Sequence, residues 1–377
     1  SAAAAAATAA LVCLALARPT GSADATCSED TCSSWPAGAT DGEALMSKEA
    51  DASLDVFIAV ITAPPHKSKR KLLRRTWFAA DAGRSEGWAA RFFVGGDPSL
   101  VAGEKDIIVL AGIPDGPGSY KQLWQKVKAA LVWSYENEPA RFYLKADDDV
   151  YIHPPSLLSK LHGQVDKRAY LGSPRTSVVE RDERSGVHVP REVWKPDTWH
   201  EFNQGIHYIL SADLVAWVVK NKDDLRALAG TGPEDVTMAL WMLSLDVHPE
   251  AVPWMFYVHA GRWGDSAGWP EREAQSGCKC PLAVVGLDSD KNDFPREMKA
   301  LHKAYAHGKC ACDYVPPHWM RHEASRQARA GDPCLAAQLF SLALKKCGEP
   351  QRVCSDDLRQ KLALGKQGTE SHCGQAP

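Results

Sequence analysis

Residues Phe142-Tyr143-Leu144-Lys145-Ala146-Asp147-Asp148-Asp149-Val150-Tyr151-Ile152 set three consecutive acids between two apolar runs. Adjacent carboxylates repel one another, and an apolar frame keeps water from screening them, so the cluster is costly unless a cation neutralises it. The runs are too short for a helix and rich in β-favoured side chains. They predict a buried strand, a turn carrying the acids, and a second short strand. In open α/β sheets ligands sit beyond the carboxyl ends of strands, where these acids fall, so the reading favours a metal-diphosphate site. A solvated acidic turn would lack the apolar frame, and a Ca²⁺ loop would alternate its ligands around a Gly.

Outward from this stretch, Val56-Phe57-Ile58-Ala59-Val60-Ile61 predicts another buried strand, followed by Ala63-Pro64-Pro65 and by Arg70, Arg74, Arg75, Thr76 and Trp77. Tyr120 to Tyr135 predicts an amphipathic helix with Leu123, Val127, Ala130, Leu131 and Ser134 on one face. Downstream lie Phe202-Asn203-Gln204-Gly205, then Ile206 to Ser211 and a helix over 213–220 with Ser211 as N-cap. Next comes Gly232-Pro233-Glu234-Asp235-Val236. Pro233 opens a helix and puts Glu234 and Asp235 at its positive end, which suits either dipole stabilisation or a functional pair of acids. Residues 180–191 are charged and contain Gly186, reading as an exposed hairpin or loop.

Arg-Arg-Thr-Trp after the first strand, Lys105-Asp106-Ile107-Ile108 with Ser119-Tyr120 and Lys126, the triple Asp, and Glu-Asp-Val occur in this order over about residues 54–260. This set resembles the inverting β-1,3-glycosyltransferases of family 31: β-1,3-galactosyltransferases, β-1,3-N-acetylglucosaminyltransferases and Fringe. The resemblance implies an α/β fold of the GT-A nucleotide-sugar-binding type with a mostly parallel central sheet. It also implies a UDP-sugar donor, Mn²⁺, and a glycan acceptor on a glycoprotein or glycolipid, joined through a β-1,3 linkage. By resemblance Asp149 binds Mn²⁺, Asp147 and Asp148 face ribose and sugar, and His259 is a second metal ligand, with His248 as fallback. Asp235 becomes the general base and Glu234 a donor-site residue. Arg74 is the first choice among the arginines for the diphosphate or uridine. Lys145 either contacts the nucleotide or offsets local negative charge, and Gly205 lets the backbone approach a ligand closely. Trp199-His200-Glu201-Phe202 departs from the family's Tyr-Pro-rich segment, which leaves acceptor and donor sugar open. A silent glycan-binding relative and a metal-dependent phosphohydrolase are the competing classes, the latter lacking a second set of His/Asp ligand motifs.

The chain has 377 residues, 45% of them hydrophobic, enough for one large domain with additions. A net charge of -3 gives no basic footprint for nucleic acid. Of the 13 Trp residues, Trp194, Trp199, Trp254, Trp263 and Trp269 gather where a sugar cleft would lie, as stacking platforms or as core. Residues 1–17 are Ala-rich and apolar, a signal peptide or a truncated signal anchor that directs the chain to the secretory pathway. The resemblance implies the Golgi lumen, as a type II membrane protein or a secreted form. Residues 18–53 read as a flexible stem, 54–262 as the transferase domain and 263–377 as a Cys-rich extension, in which 336–346 and 356–364 predict a disulfide-tied helical pair. Eleven Cys, less Cys13 in the leader, leave ten flanking the core, suited to five disulfides. Cys278, Cys280, Cys310 and Cys312 have spacing unlike a zinc knuckle, and no Asn-x-Ser/Thr sequon occurs.

Overall fold

The computed structural model describes residues 53–257 except 80, 82, 117–118, 186–187, 229–231 and 253, and then 283–287, 294–306, 324–325, 328, 333–347 and 356–373. Two compact units emerge: Ser1–Val150 with Leu157–Val252, and Tyr151–Ser156 with Pro253–Pro377.

The first unit is built on β1 (Leu54–Ile61), β2 (Trp88–Gly95), β3 (Ile107–Leu110) and β4 (Ala140–Asp147). Helices α1 (Lys67–Arg74) and α2 (Leu123–Asn137) lie between them in sequence. After β5 (Val150–Ile152) and α3 (Pro154–Leu161) come β6 (Tyr170–Gly172), β7 (Pro174–Arg175), β8 (Phe202–Asn203) and β9 (His207–Ser211). Helices α4 (Ala212–Lys220) and α5 (Glu234–Leu243) and strand β10 (Glu250–Ala251) complete it. The central sheet has the order β10-β6-β9-β4-β1-β2-β3. Every pairing is parallel except the two that β9 makes, with β4 and with β6. The expected mostly parallel α/β sheet is present, and one reversed strand inserts beside the acids.

Parallel strands covered on both faces read as continuous apolar runs, and β1 obeys this: Val56, Phe57, Ile58 and Val60 are fully buried. Each such side chain contributes about 1.5–3 kcal/mol when removed from water. Helix α2 closes one face with Trp124, Val127, Ala130, Leu131 and Tyr135. It starts at Leu123, after a 3-10 turn over Ser119–Gln122, rather than at Tyr120. Trp124 meets Trp241 of α5 edge-on at 6.3 Å, and the Trp241 indole N–H donates to the Arg226 carbonyl at 3.0 Å, which anchors α5.

Ser211 occupies the N-cap position of α4 but makes no cap bond. Its hydroxyl instead donates to the Asp213 carboxylate at 2.5 Å and accepts the Ala169 N–H at 2.9 Å, one local and one tertiary partner. Across residues 180–191, Arg181 donates to the carbonyls of Val189, Trp194 and Pro196, and these bonds shape the loop.

In the second unit β11 (Met255–Tyr257) runs parallel to β12 (Val284–Gly286) in a three-stranded sheet with β5. Tyr305 of α6 (Phe294–Ala306) stacks on Tyr151 at 5.5 Å and on His153 at 4.3 Å. Helices α7 (Pro333–Cys347) and α8 (Asp356–Cys373) pack together, and Cys334 and Cys347 are both disulfide-bonded. Among the described residues no helix is long and apolar enough to cross a membrane. The leader, most of the stem, His259, Trp263, Trp269 and Cys278, Cys280, Cys310 and Cys312 lie outside the described residues.

Candidate active site

Register places the acids. Ile61 at the end of β1 is opposite Asp147 at the end of β4, and the chain turns through Asp148 and Asp149 into β5. The Trp77 indole N–H donates to the Val150 carbonyl at 2.8 Å and fixes the exit of the turn. The strand-turn-strand expectation therefore holds, with Asp147 closing β4 and Asp148 and Asp149 just beyond it.

The three acids have different surroundings. Asp148 is buried, with a carboxylate that accepts the Thr62 hydroxyl at 2.6 Å and the His66 Nδ1 at 2.7 Å, while Lys69 Nζ lies 3.0 Å away. Burial alone would raise its pKa, but the His66 bond and the Lys69 charge outweigh it and hold the carboxyl below its ordinary range. Asp147 is the most open, with 37% of its side chain exposed, and accepts Lys145 Nζ at 2.6 Å. Asp149 stands 3.7 Å from Lys69. Burial would lower the pKa of Lys69, yet the charges of Asp148 and Asp149 raise it, so it stays an ammonium. His66 and Lys69 were missed in the sequence: they follow a Pro-Pro turn more than 75 residues before the acids, and nothing local links them.

A second group of charges adjoins the first through Lys145, whose side chain is 1% exposed. Its ammonium donates to Asp147 and to the Gly205 carbonyl, and lies 3.7 Å from Glu234 Oε2. Burial would depress it, but the carboxylates of Asp147 and Glu234 reverse the sign and keep it charged. The backbone joins the same parts, since the Asp147 N–H donates to the Ile206 carbonyl at 2.9 Å. Gly205 N–H in turn donates to Asp235 Oδ2 at 3.1 Å, and Val236 N–H to Asp235 Oδ1 at 2.9 Å. Pro233 sits at the N-cap of α5, so Glu234 and Asp235 occupy its first turn as anticipated. Burial raises the Asp235 pKa against the opposing pull of the Val236 N–H, Lys145 and the Gly205 N–H. Glu234 accepts the Tyr208 hydroxyl at 2.6 Å, and its pKa is pushed up to about 7, chiefly by burial.

Arg70 and Arg74 are otherwise engaged. Arg74 forms a two-pronged pair with Asp106 at 2.7 and 2.6 Å, reaches Glu104 at 2.7 Å, and lies over the Phe92 ring. The fork that the sequence reading offered to a diphosphate thus holds two carboxylates. Arg70, fully buried, donates to Glu104 at 2.9 Å and to the Ala63 carbonyl at 2.6 Å, securing the loop that carries His66. Lys126 bonds Asp115 at 2.5 Å and the Thr62 carbonyl from below. Burial lowers its pKa.

Trp194, Trp199 and Trp254 are buried, which places them in the packing. His248 lies in an exposed segment 3.5 Å from Asp246. Among the described residues no three His, Cys, Asp or Glu groups are arranged to hold a metal ion. The described donors alone therefore do not complete a metal site.

The sequence pattern of the Galactosyltransferase family matches residues 68–253, which span the triple acid, Gly205 and Asp235. The chain is 31% identical over 272 residues to beta-1,3-galactosyltransferase 6 of Mus musculus, covering 66% of this chain and 74% of that one. It is 30% identical over 212 residues to probable beta-1,3-galactosyltransferase 13 of Arabidopsis thaliana, covering 52% of this chain and 60% of that one. The chain belongs to the galactosyltransferase family, glycosyltransferase family 31. It spans only 31% to 60% of the length of the first plant relatives it matches. A crystal structure of the galactosyltransferase LgtC with donor and acceptor sugar analogs aligns at a TM-score of 0.35 and 11% identity, covering 66% of this chain and 95% of that one. At that level it adds nothing to the fold seen in the sheet itself.

Proposed function

We propose that this chain is an inverting hexosyltransferase that moves galactose from a UDP-sugar to a glycan hydroxyl, forming a β-1,3 linkage. The galactosyltransferase names of its relatives support the sugar, with an N-acetylhexosamine as the alternative donor. The observation that carries the reading is the bonded path from Asp147 through Lys145 and Gly205 to Asp235. One unit thereby holds the acids that would face the donor and a half-buried carboxylate of raised pKa that would face the acceptor.

In this mechanism Asp235 takes the proton from the acceptor hydroxyl as its oxygen bonds to the anomeric carbon. The bond from that carbon to the diphosphate oxygen breaks on the opposite face, UDP leaves with the electron pair, and the configuration inverts. A base needs a pKa near working pH, and burial supplies the upward shift that a helix N-terminus would oppose. Asp147, the most open acid, faces the donor. Asp148 holds the turn in shape through Thr62, His66 and Lys69. Arg74, bound to Asp106 and Glu104, acts by fixing the segment at the start of β3.

Asp148 and Asp149 lie beside Lys69, and Asp147 and Glu234 beside Lys145, a concentration of carboxyl oxygens that suits a cation. Asp149 and His259 would hold Mn²⁺. The ion would neutralise the departing diphosphate. The acceptor is a glycan on a glycoprotein or glycolipid, and the place of action is the Golgi lumen.

The test is UDP release by the full chain with UDP-galactose, UDP-N-acetylgalactosamine and UDP-N-acetylglucosamine, with simple galactoside, galactosaminide and glucosaminide acceptors, in Mn²⁺ or excess EDTA. Mn²⁺-dependent, acceptor-dependent release from UDP-galactose is expected, and Asp149→Ala should lose UDP affinity. Full activity in EDTA sinks the metal assignment, and failure of every UDP-sugar to bind sinks the transferase reading.

A further inference from the structure

The proposed chemistry uses Asp235 and leaves Glu234 beside it without a task. Glu234 is the first residue of α5, buried, with both oxygens placed: one accepts the Tyr208 hydroxyl at 2.6 Å and the other lies 3.7 Å from the Lys145 ammonium. Tyr208 stands opposite Lys145 in the β4–β9 register, so the sheet itself sets this spacing. Tyr170 of β6 packs edge-on to Tyr208 at 5.7 Å and walls off the far side.

A buried carboxylate adjacent to a second carboxylate raises the proton affinity of its neighbour, and a buried ammonium lowers it, because little water screens either charge. We propose that Glu234 and Lys145 are an opposed pair of positioning residues that set the proton affinity of Asp235, Glu234 raising it and Lys145 lowering it. Lys145 also pins the carbonyl of Gly205, the residue whose N–H carries Asp235. That this proton affinity governs turnover rests on the transferase reading above; the electrostatic arrangement does not. The charged and titratable groups facing the pair of acids are Lys145 and Asp147 from β4, Tyr208 from β9 and Tyr170 from β6.

The two variants pull in opposite directions. Glu234→Gln keeps an acceptor for Tyr208 and removes the negative charge. Lys145→Met removes the positive charge at similar length. The experiment follows the ¹³C resonance of the Asp235 carboxyl in the full chain through a pH titration, assigned by its loss in Asp235→Asn. Glu234→Gln should lower the titration midpoint of Asp235 and Lys145→Met should raise it, each by about tenfold in proton affinity. The acid limb of the pH profile for UDP release should move the same way. A purely structural role would lower melting temperature in both and leave the midpoint in place, and an unmoved midpoint, or movement of both in one direction, overturns the proposal. If Lys145→Met does not fold, Glu234→Gln decides alone by the same criterion. Shifted midpoints in a chain with no transferase activity would refute the transferase reading while leaving the inference intact. Transfer with unshifted midpoints would do the reverse.

Discussion

The N–H of Gly205 donates to Asp235 Oδ2 at 3.1 Å, and a Cβ at residue 205 would lie 3.2 Å from that same oxygen. The sequence reading assigned the small residue to close approach of a ligand. The structure sets the Asp235 carboxylate against it. The contact is tighter than ordinary van der Waals packing, so the carboxylate and the loop are set against each other by the missing side chain.

Gly205→Ala should therefore shift the Asp235 carboxylate by a few tenths of an ångström while leaving the acids at the end of β4 in place. Turnover should fall about tenfold, since small misplacements of a reacting group are costly. UDP affinity measured by calorimetry should stay within about twofold. A loss of UDP affinity equal to the loss of turnover would show that Gly205 belongs to the donor site.

Asp235→Asn keeps the shape of the side chain and an oxygen for the Gly205 N–H but cannot take a proton. Transfer should drop by about two to four orders of magnitude with UDP affinity retained. If the acid only stabilised the helix end, the change would cost about 1 kcal/mol and leave turnover nearly intact. Turnover and UDP calorimetry on the same preparation separate these outcomes.

Glu104 links Arg70 and Arg74, and its pKa is pulled down to about 2, chiefly by the hydrogen bond from the Arg70 guanidinium. A carboxyl depressed on folding stabilises the fold above its unfolded pKa of about 4.5 and loses that contribution as pH falls through 2. The group should be worth about 3 kcal/mol at neutral pH. The stability difference between wild type and Glu104→Gln, by chemical denaturation, should be largest near pH 7 and shrink between pH 4.5 and 2. A difference independent of pH would refute the linkage.

Thr62→Val removes the hydroxyl that donates to buried Asp148 and keeps the shape. Hydrogen bonds to charged groups contribute about 1.5–3 kcal/mol, and a loss of unfolding free energy of that size, measured by chemical denaturation, is expected. His66 and Lys69 remain on the carboxylate, so the variant should fold. A change under about 0.5 kcal/mol would mean that those two partners, or water, make good the loss.

Much of the site was legible because its signals are local. The apolar frame around Asp147, Asp148 and Asp149 required a strand before them and a strand after, and Pro233 followed by two acids marked the start of α5. Periodicity found α2, and the helical pair expected over 336–346 and 356–364 is present as α7 and α8, with α8 running on to Cys373. Where the reading drifted, a distant group competed. Ser211 is the N-cap residue as read, but its hydroxyl meets Asp213 and the Ala169 N–H rather than the helix backbone, and the guanidinium of Arg74 is held by Asp106 and Glu104. A side chain with several possible partners goes to the one that tertiary structure brings nearest, and one sequence does not rank partners that lie 30 or more residues apart.

By itself the sequence determined that a buried strand carries three acids at its carboxyl end, and that two more acids open a helix, because side-chain period and turn chemistry act over a few residues. Only the tertiary structure decided what surrounds each acid. Asp148 is enclosed by Thr62, His66 and Lys69, Asp147 is left open, and Lys145 crosses 60 residues to reach Gly205. The charge state of a carboxyl depends on the neighbours and the water within a few ångströms, and the pairing of β9 against β4 is what selects those neighbours.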